Sequence, residues 1–251
     1  MNWRGAILPV SVIAAAQFAA TTYGIQSDAL ASPVEILASL LQALADGSMI
    51  RATLETLGAA LGGLLVGGSA GILAGIVLGL SGVLNRLMTV SIELVRPVPS
   101  VAIIPLFMLV FGLGFRLEIA VVAFGVVWTV LVLTRAAVAG IEPRLLEVAR
   151  VLGMSRAQAI WKIVLPSALP RIFVALRLAA TVSLIVAVTV EVAVNPLGLG
   201  YGMQIAQQAL RPEWMFAYLV WLIIVGWSFN YLLVRIEGIV LRRMNFTGPR
   251  R

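Results

Sequence analysis

The chain has no cysteine and no histidine, and Lys162 is its only lysine. Disulfides, metal sites built from Cys or His, and histidine acid–base chemistry are therefore excluded. Lys162 follows Ile160 and Trp161 rather than a glycine-rich loop, so the phosphate-cradling sequence of a P-loop ATPase is missing too. Charge is scarce: Asp, Glu, Lys and Arg make up 12% of the residues, against about 25% in a soluble domain. Apolar residues fill the space, at 61% of the chain and a mean hydropathy of +1.05. Arranged in runs of about 20, they describe an all-α integral membrane protein. With no His, no Cys and no evident pair of catalytic carboxylates, a membrane enzyme is disfavoured. Acidic residues are the scarcer sign, 11 against 18 basic, which leaves a net charge of +7. That excess alone would point to nucleic acid, but its distribution along the chain assigns it to topology.

Residues 5–27 carry no charge and lack a small-residue cleavage pattern, so they read as a first span rather than a removable signal. Residues 28–50, with Ser32-Pro33 followed by Glu35, Leu37, Leu40, Leu41 and Leu44, read as a short helix on the outer face. A second span covers 56–85. It carries Gly63, Gly67, Gly71, Gly75 and Gly79 at a strict spacing of four, which lets helix backbones approach closely in lipid. This stripe packs either against another helix of the same chain or against a second copy. The third span, 87–112, is interrupted at Arg96-Pro97-Val98-Pro99-Ser100. Two prolines there remove two backbone donors, and broken helix at membrane depth belongs where it is buried in protein or lines a wet path. Glu93 stands three residues before Arg96, a helical ion-pair spacing.

The fourth span is 119–139, with Arg135 snorkelling to an interface. The fifth is 168–193, with Glu191 near its end as either a gate residue or a satisfied span-end carboxylate. An outer excursion over 195–212, with a partial helix from Ile205 to Leu210, leads to the sixth span, 214–234. With about six spans both termini share one side. That side holds Arg4, Arg86, Arg135, Arg144, Arg150, Arg156, Lys162, Arg171, Arg177, Arg235, Arg242, Arg243, Arg250 and Arg251, and the other holds Arg51, Arg116 and Arg211. Fourteen against three places both termini in the cytoplasm by the positive-inside rule.

The segment 142–171 is too charged for lipid. Pro143 suits a first helical turn, and Leu145, Val148, Ala149 and Leu152 recur at helical spacing. Gly153 can end that helix, and Ser155 with Gln158 forms a capping-box pattern for a second one that stops before Pro166. A helix–Gly–helix of this kind between two spans has too little chain to reach a DNA duplex.

Glu147, Ala149, Gly153, Ile163, Leu165 and Pro166 fall on the pattern E-A-A, three residues, G, nine residues, I-x-L-P, with Val148 in place of the second alanine. This resembles the EAA loop in membrane subunits of bacterial binding-protein-dependent ABC importers. RPVPSVAIIPL followed by FGLG resembles the third-span signature of the sulfonate, taurine and nitrate-type permeases of that family; Thr129 and Leu133 depart from the proline and asparagine found there. The resemblance implies a type I importer permease fold: one transmembrane domain over 1–251 with a cytoplasmic coupling loop at about 141–167. It implies coupling to an ATPase through Glu147, Ala149, Arg150, Gly153, Ser155, Ile163, Leu165 and Pro166. A translocation path or gate falls on Arg96, Pro97, Pro99, Ser100 and Glu191, since the family often has an acidic residue at the position of Glu191.

The implied partners are a second copy of the permease (a homodimer), two ATP-binding subunits, a periplasmic or lipid-anchored solute-binding protein and the lipid bilayer of the inner membrane, with no nucleic acid. ATP and magnesium would be bound by the partner ATPase, and this chain would hold no cofactor or metal. The implied cargo is a small solute such as a sulfonate, taurine or nitrate. A stand-alone secondary transporter or channel is the alternative class, and it would need no EAA-like loop.

Overall fold

The computed structural model describes residue 17 and residues 30–243. The expected first span, 5–27, lies outside the described residues except for Gln17, as do Arg4, Arg250 and Arg251. Four described helices are long and apolar enough to cross a membrane, or five segments if one bent pair is counted as a single span.

Helix α1, Pro33–Ala45, opens with a capping box. Ser32 Oγ accepts the N–H of Glu35 while the Glu35 carboxylate accepts the N–H of Ser32 at 2.8 Å. Those bonds from the Ser32 backbone and hydroxyl hold the exposed Glu35 carboxyl below its ordinary range. A left-handed Gly47 (φ +78°) then starts α2, Ser48–Leu80. At 33 residues α2 is about 50 Å long, well beyond the bilayer core. It starts before the expected span because Arg51 and Glu55 pair at 3.1 Å along one face and carry the helix past the membrane edge. It also ends before residue 85. Ser81 turns extended and caps the next helix at Leu84, so Asn85 and Arg86 belong to α3, Gly82–Val95.

The interruption at Arg96–Ser100 is real and sharp. Helix α3 and the segment Ser100–Phe111, a 3-10 turn running into α4 (Ile104–Phe111), meet at 84°. Gly112 and Gly114, both at positive φ with open space around them, then reverse the chain into α5, Phe115–Ala139.

Helix α6, Pro143–Val151, ends in a Schellman turn. Gly153 takes φ +64°, its N–H bonds to Arg150 O, and the Met154 N–H reaches Ala149 O at 3.0 Å. Ser155 and Gln158 form the expected capping box at the start of α7, Arg156–Ala159. The second helix of this hairpin does not stop before Pro166. It runs through a π-helical turn, Ile160–Val164, straight into α8, Leu165–Ala193. A proline ring clashes with the carbonyl four residues back; the widened turn, in which Leu165 N–H reaches Ile160 O, makes room for it. Helix α9, Gly198–Gln208, begins seven residues earlier than the expected partial helix, and α10, Pro212–Arg243, extends past both ends of the expected sixth span.

The bundle is centred on α5, which packs against α2 on one side and α8 on the other through Val121, Val122, Val126, Val130, Ala179, Ala187 and Val190. The five glycines of the stripe on α2 face α5. A Cβ on Gly71 would lie 2.8 Å from Val127 O, one on Gly75 2.6 Å from Thr134 Cβ, and one on Gly79 2.7 Å from Val138 Cβ. Gly63 and Gly67 meet Val122 and Ala123 as closely. Helix α10 packs on α1, α8 and α9, and its Trp221 indole donates to Thr53 Oγ1 at 2.8 Å.

Candidate functional site

The hairpin at one end of the bundle is rooted by Val164, Ala168 and Ile172, which pack on Ala137 and Val138 of α5. Of the eight expected coupling residues, Glu147, Arg150, Gly153 and Ser155 are exposed, Ala149 is buried, and Ile163, Leu165 and Pro166 are half-buried where the hairpin joins α8. The hairpin also exposes large apolar surface: Val151 is 87% accessible and Trp161 71%, with Val148 and Leu152 beside them. The element that carries them also bears Arg144, Glu147, Arg150, Arg156 and Lys162.

Arg96 caps α3 through its N–H to Ile92 O, and its side chain is exposed, as are Pro97 and Pro99. Among the described residues Arg96 and Glu93 form no ion pair, contrary to expectation. Arg96 keeps helical backbone angles (φ −53°, ψ −40°), so the spacing is met, but both side chains stay exposed and apart. Ser100 sits against Gly125 in the middle of α5, where a glycine Cβ would be 3.4 Å from Ser100 Cβ. Val186 of α8 approaches the same glycine, so the break is wedged onto the central helices.

Glu191 lies beyond Val186, toward the end of the bundle opposite the hairpin, and it is completely buried. Its Oε2 accepts the N–H of Gly200 at 2.7 Å. Two more N–H groups of the same helix start are taken by α2: Gly198 donates to Glu55 Oε2 at 3.0 Å and Leu199 to Thr56 Oγ1 at 2.9 Å. Three successive donors at the N-terminus of α9 are thus held by side chains of α2 and α8, with two carboxyl groups placed at the positive end of the helix dipole. A second completely buried acid, Glu118 of α5, lies against Glu191. Its Oε2 accepts Asn195 Nδ2 at 2.8 Å, while Asn195 Oδ1 accepts the N–H of Gly114 at 2.8 Å. One oxygen of each buried carboxyl has no hydrogen-bond partner, and among the described residues neither pairs with a basic side chain. A cavity of about 400 Å³ opens beside α9, lined among others by Arg51, Glu55, Tyr201, Arg211 and Trp214. Both arginines are already paired, Arg51 with Glu55 and Arg211 with Glu213 at 3.2 Å.

Residues 67–246 match the family described as binding-protein-dependent transport system inner membrane component. The chain belongs to this family. It is a permease of the binding-protein-dependent ABC importers, a membrane transport subunit rather than a catalytic one. The permease is 30% identical over 223 residues to SsuC of Bacillus subtilis (strain 168), named for aliphatic sulfonates transport; the match covers 89% of this chain and 81% of SsuC. It is 34% identical over 143 residues to the taurine transport system permease protein TauC of Escherichia coli (strain K12), covering 57% of this chain and 52% of TauC. Among solved structures, the inward-facing MetNI methionine ABC transporter superposes with a TM-score of 0.68 at 23% identity, covering 76% of this chain and 95% of that one, which establishes a shared fold.

Sequence reasoning singled out Glu191 as a path or gate candidate but did not bring Glu55, Thr56, Glu118, Asn195, Gly198 and Gly200 together with it. The one available signal was the glycine-rich sequence NPLGLGYG at 195–202, within the stretch expected as an outer excursion. Two of its glycines are steric necessities: Gly198 takes φ +83° against the Glu191 carboxyl, and a Cβ on Gly200 would lie 2.6 Å from Val188 O.

Proposed function

We propose that this permease works as one half of a dimeric translocation path, driven by two ATP-binding subunits on the cytoplasmic side and supplied by a solute-binding protein on the other. The observation that carries the reading is the helical hairpin. It projects Val151, Leu152 and Trp161 beyond the spans on a support stiffened by a Schellman turn and a capping box. It is also continuous with α8, so a push on the hairpin is delivered along one helix to Glu191 at the other end. Glu147, Ala149, Arg150, Gly153, Ser155, Ile163, Leu165 and Pro166 form and root the docking element. The chain has no P-loop of its own, so ATP and magnesium belong to the partner.

In this reading the hairpin and both termini face the cytoplasm, and the carboxyl cluster around α9 is the outer latch. Glu55, Thr56 and Glu191 hold the start of α9, and a shift of α8 relative to α2 would release it. The path runs past the break at Arg96, Pro97, Pro99 and Ser100. The cargo is a small organic or inorganic anion such as a sulfonate; the support is the named roles of SsuC and TauC and the presence of Arg96 at the break. Purification of the detergent-solubilised chain from its own host tests the assembly: an ATP-binding subunit should co-purify, and Gly153→Asp should abolish uptake. Absence of any ATPase, together with normal uptake by Gly153→Asp, would overturn the reading.

A further inference from the structure

Arg135 stands four residues from the hairpin end of α5, inside a membrane-spanning helix, and it is only half-buried. Its guanidinium crosses to α3 and donates to Asn85 Oδ1 at 3.1 Å and to Thr89 Oγ1 at 3.5 Å, both neutral oxygens. Among the described residues no carboxylate pairs with it. A cation in a span requires an anionic or well-solvated partner. Arg86, one residue past Asn85 on α3, is exposed and also lacks a carboxylate; its Nε donates only to Gly82 O.

One turn deeper than Arg135 is Leu131, which walls an apolar cleft of about 410 Å³ between α2, α3 and α5. Ala74, Val77, Leu78, Leu84, Met88 and Ile92 also line it, and the walls contribute almost no polar surface. With the hairpin facing the cytoplasm, the cleft lies in the inner leaflet and the two guanidiniums lie at headgroup depth. A segment of a second copy would fill the apolar part but leave the cations unmatched. Of the exposed carboxylates of this chain near that end, Glu142 already pairs with Arg144, Glu147 stands on the hairpin, and Glu93 lies two turns along α3 from Arg86, beside the apolar wall at Ile92 rather than at the guanidiniums.

We infer that this cleft is a binding site for one anionic phospholipid of the cytoplasmic leaflet, its acyl chain between α2 and α3 and its phosphate on Arg135 and Arg86. The leaflet assignment rests on the orientation proposed above; the binding itself does not depend on the importer reading, and its test needs no ATPase activity. Native mass spectrometry of the full chain, with whatever subunits co-purify, reads the retained lipid directly. Wild type should retain an anionic phospholipid in preference to phosphatidylcholine. Arg135→Gln should reduce that retention about fivefold, and Arg135→Lys should largely restore it. Ala74→Trp, which fills the cleft and leaves both arginines in place, should lose the lipid as well, with an unchanged elution volume showing that the variant is folded. Equal retention of anionic and zwitterionic lipid, or retention unaffected by both Arg135→Gln and Ala74→Trp, would overturn the assignment. Disulfide formation between two copies through Met88→Cys would overturn it in favour of a second copy in the cleft.

Discussion

Glu191 and Gly200 are joined by a 2.7 Å hydrogen bond that ties the end of the long helix α8 to the start of α9. The bond is possible because Gly200 has no side chain: a Cβ there would lie 2.9 Å from Glu191 Cβ and 2.6 Å from Val188 O. The carboxyl of Glu191 therefore reports on whether α9 is seated.

Gly200→Ala should unseat it. Backbone and Cβ cannot yield as a flexible side-chain tip does, so the substitution should cost about 1–3 kcal/mol. The expected readout is a lowered thermal midpoint in detergent and increased proteolysis or hydrogen exchange in residues 196–210. Glu191→Gln keeps an oxygen for the Gly200 N–H and should be milder than Glu191→Ala; equal effects would count against a latch built on that bond.

The glycine stripe makes a contrast on a single helix. Gly71→Ala would place a Cβ 2.8 Å from Val127 O and 2.8 Å from Val130 Cβ, against the central helix. Gly68→Ala meets Leu176 Cδ2 at 3.3 Å and Leu64 Cδ1 at 4.0 Å, both ends of flexible side chains. Helix propensity favours alanine by about 1 kcal/mol in both cases. Gly71→Ala should nonetheless destabilise, whereas Gly68→Ala should be neutral or slightly stabilising, as measured by thermal unfolding of the purified variants.

On the hairpin, Trp161→Ala removes an exposed ring and little packing. If the hairpin docks an ATP-binding subunit as proposed, the span bundle should keep its thermal midpoint while recovery of that subunit in pull-downs falls. Ser155→Ala should remove about 1 kcal/mol of helix capping at α7. It should weaken the same association by loosening the hairpin rather than by deleting contact surface. A Trp161→Ala variant that pulls down its ATPase undiminished would separate this surface from docking.

Arg96→Gln addresses the path. The residue caps α3 through its backbone, which glutamine preserves, so assembly should be unaffected. Uptake of an anionic solute should fall and that of a neutral solute, if one is carried, should not. Unchanged anion uptake would remove Arg96 from the path.

The capping box of α1 provides a pH test. Ser32 lowers the Glu35 carboxyl below its unfolded value, so the ionised form stabilises the helix start above the ordinary glutamate range. That contribution is lost as pH falls through the lowered value. It is small, because the group is exposed and screened. The protection factor of the first turn of α1, with exchange referred to the intrinsic rate at each pH, should fall on acidification in wild type and stay unchanged in Glu35→Gln over the same range.

Membrane character, the break at Arg96–Ser100 and the hairpin were all legible from the chain alone, because each follows from local chemistry. Proline removes a donor wherever it stands, glycine tolerates positive φ, and a serine three residues before a glutamine caps whatever helix follows. Where local signals competed, they misjudged extent: Pro166 reads as a stop, yet a π-turn carries the helix through it, and Arg51–Glu55 lengthens α2 beyond its apolar core. The partner of the glycine stripe was open until α5 was seen lying along it, since spacing identifies a packing face but not the helix it meets. The Glu55–Thr56–Glu118–Glu191–Asn195 cluster was the least accessible. Its members are as far apart as residues 55 and 195 in sequence, and each alone resembles an ordinary span-end polar residue. Only the tertiary fold, by closing α2, α5 and α8 around the start of α9, turns them into one buried constellation, because buried donors and acceptors must find partners wherever the fold brings them together.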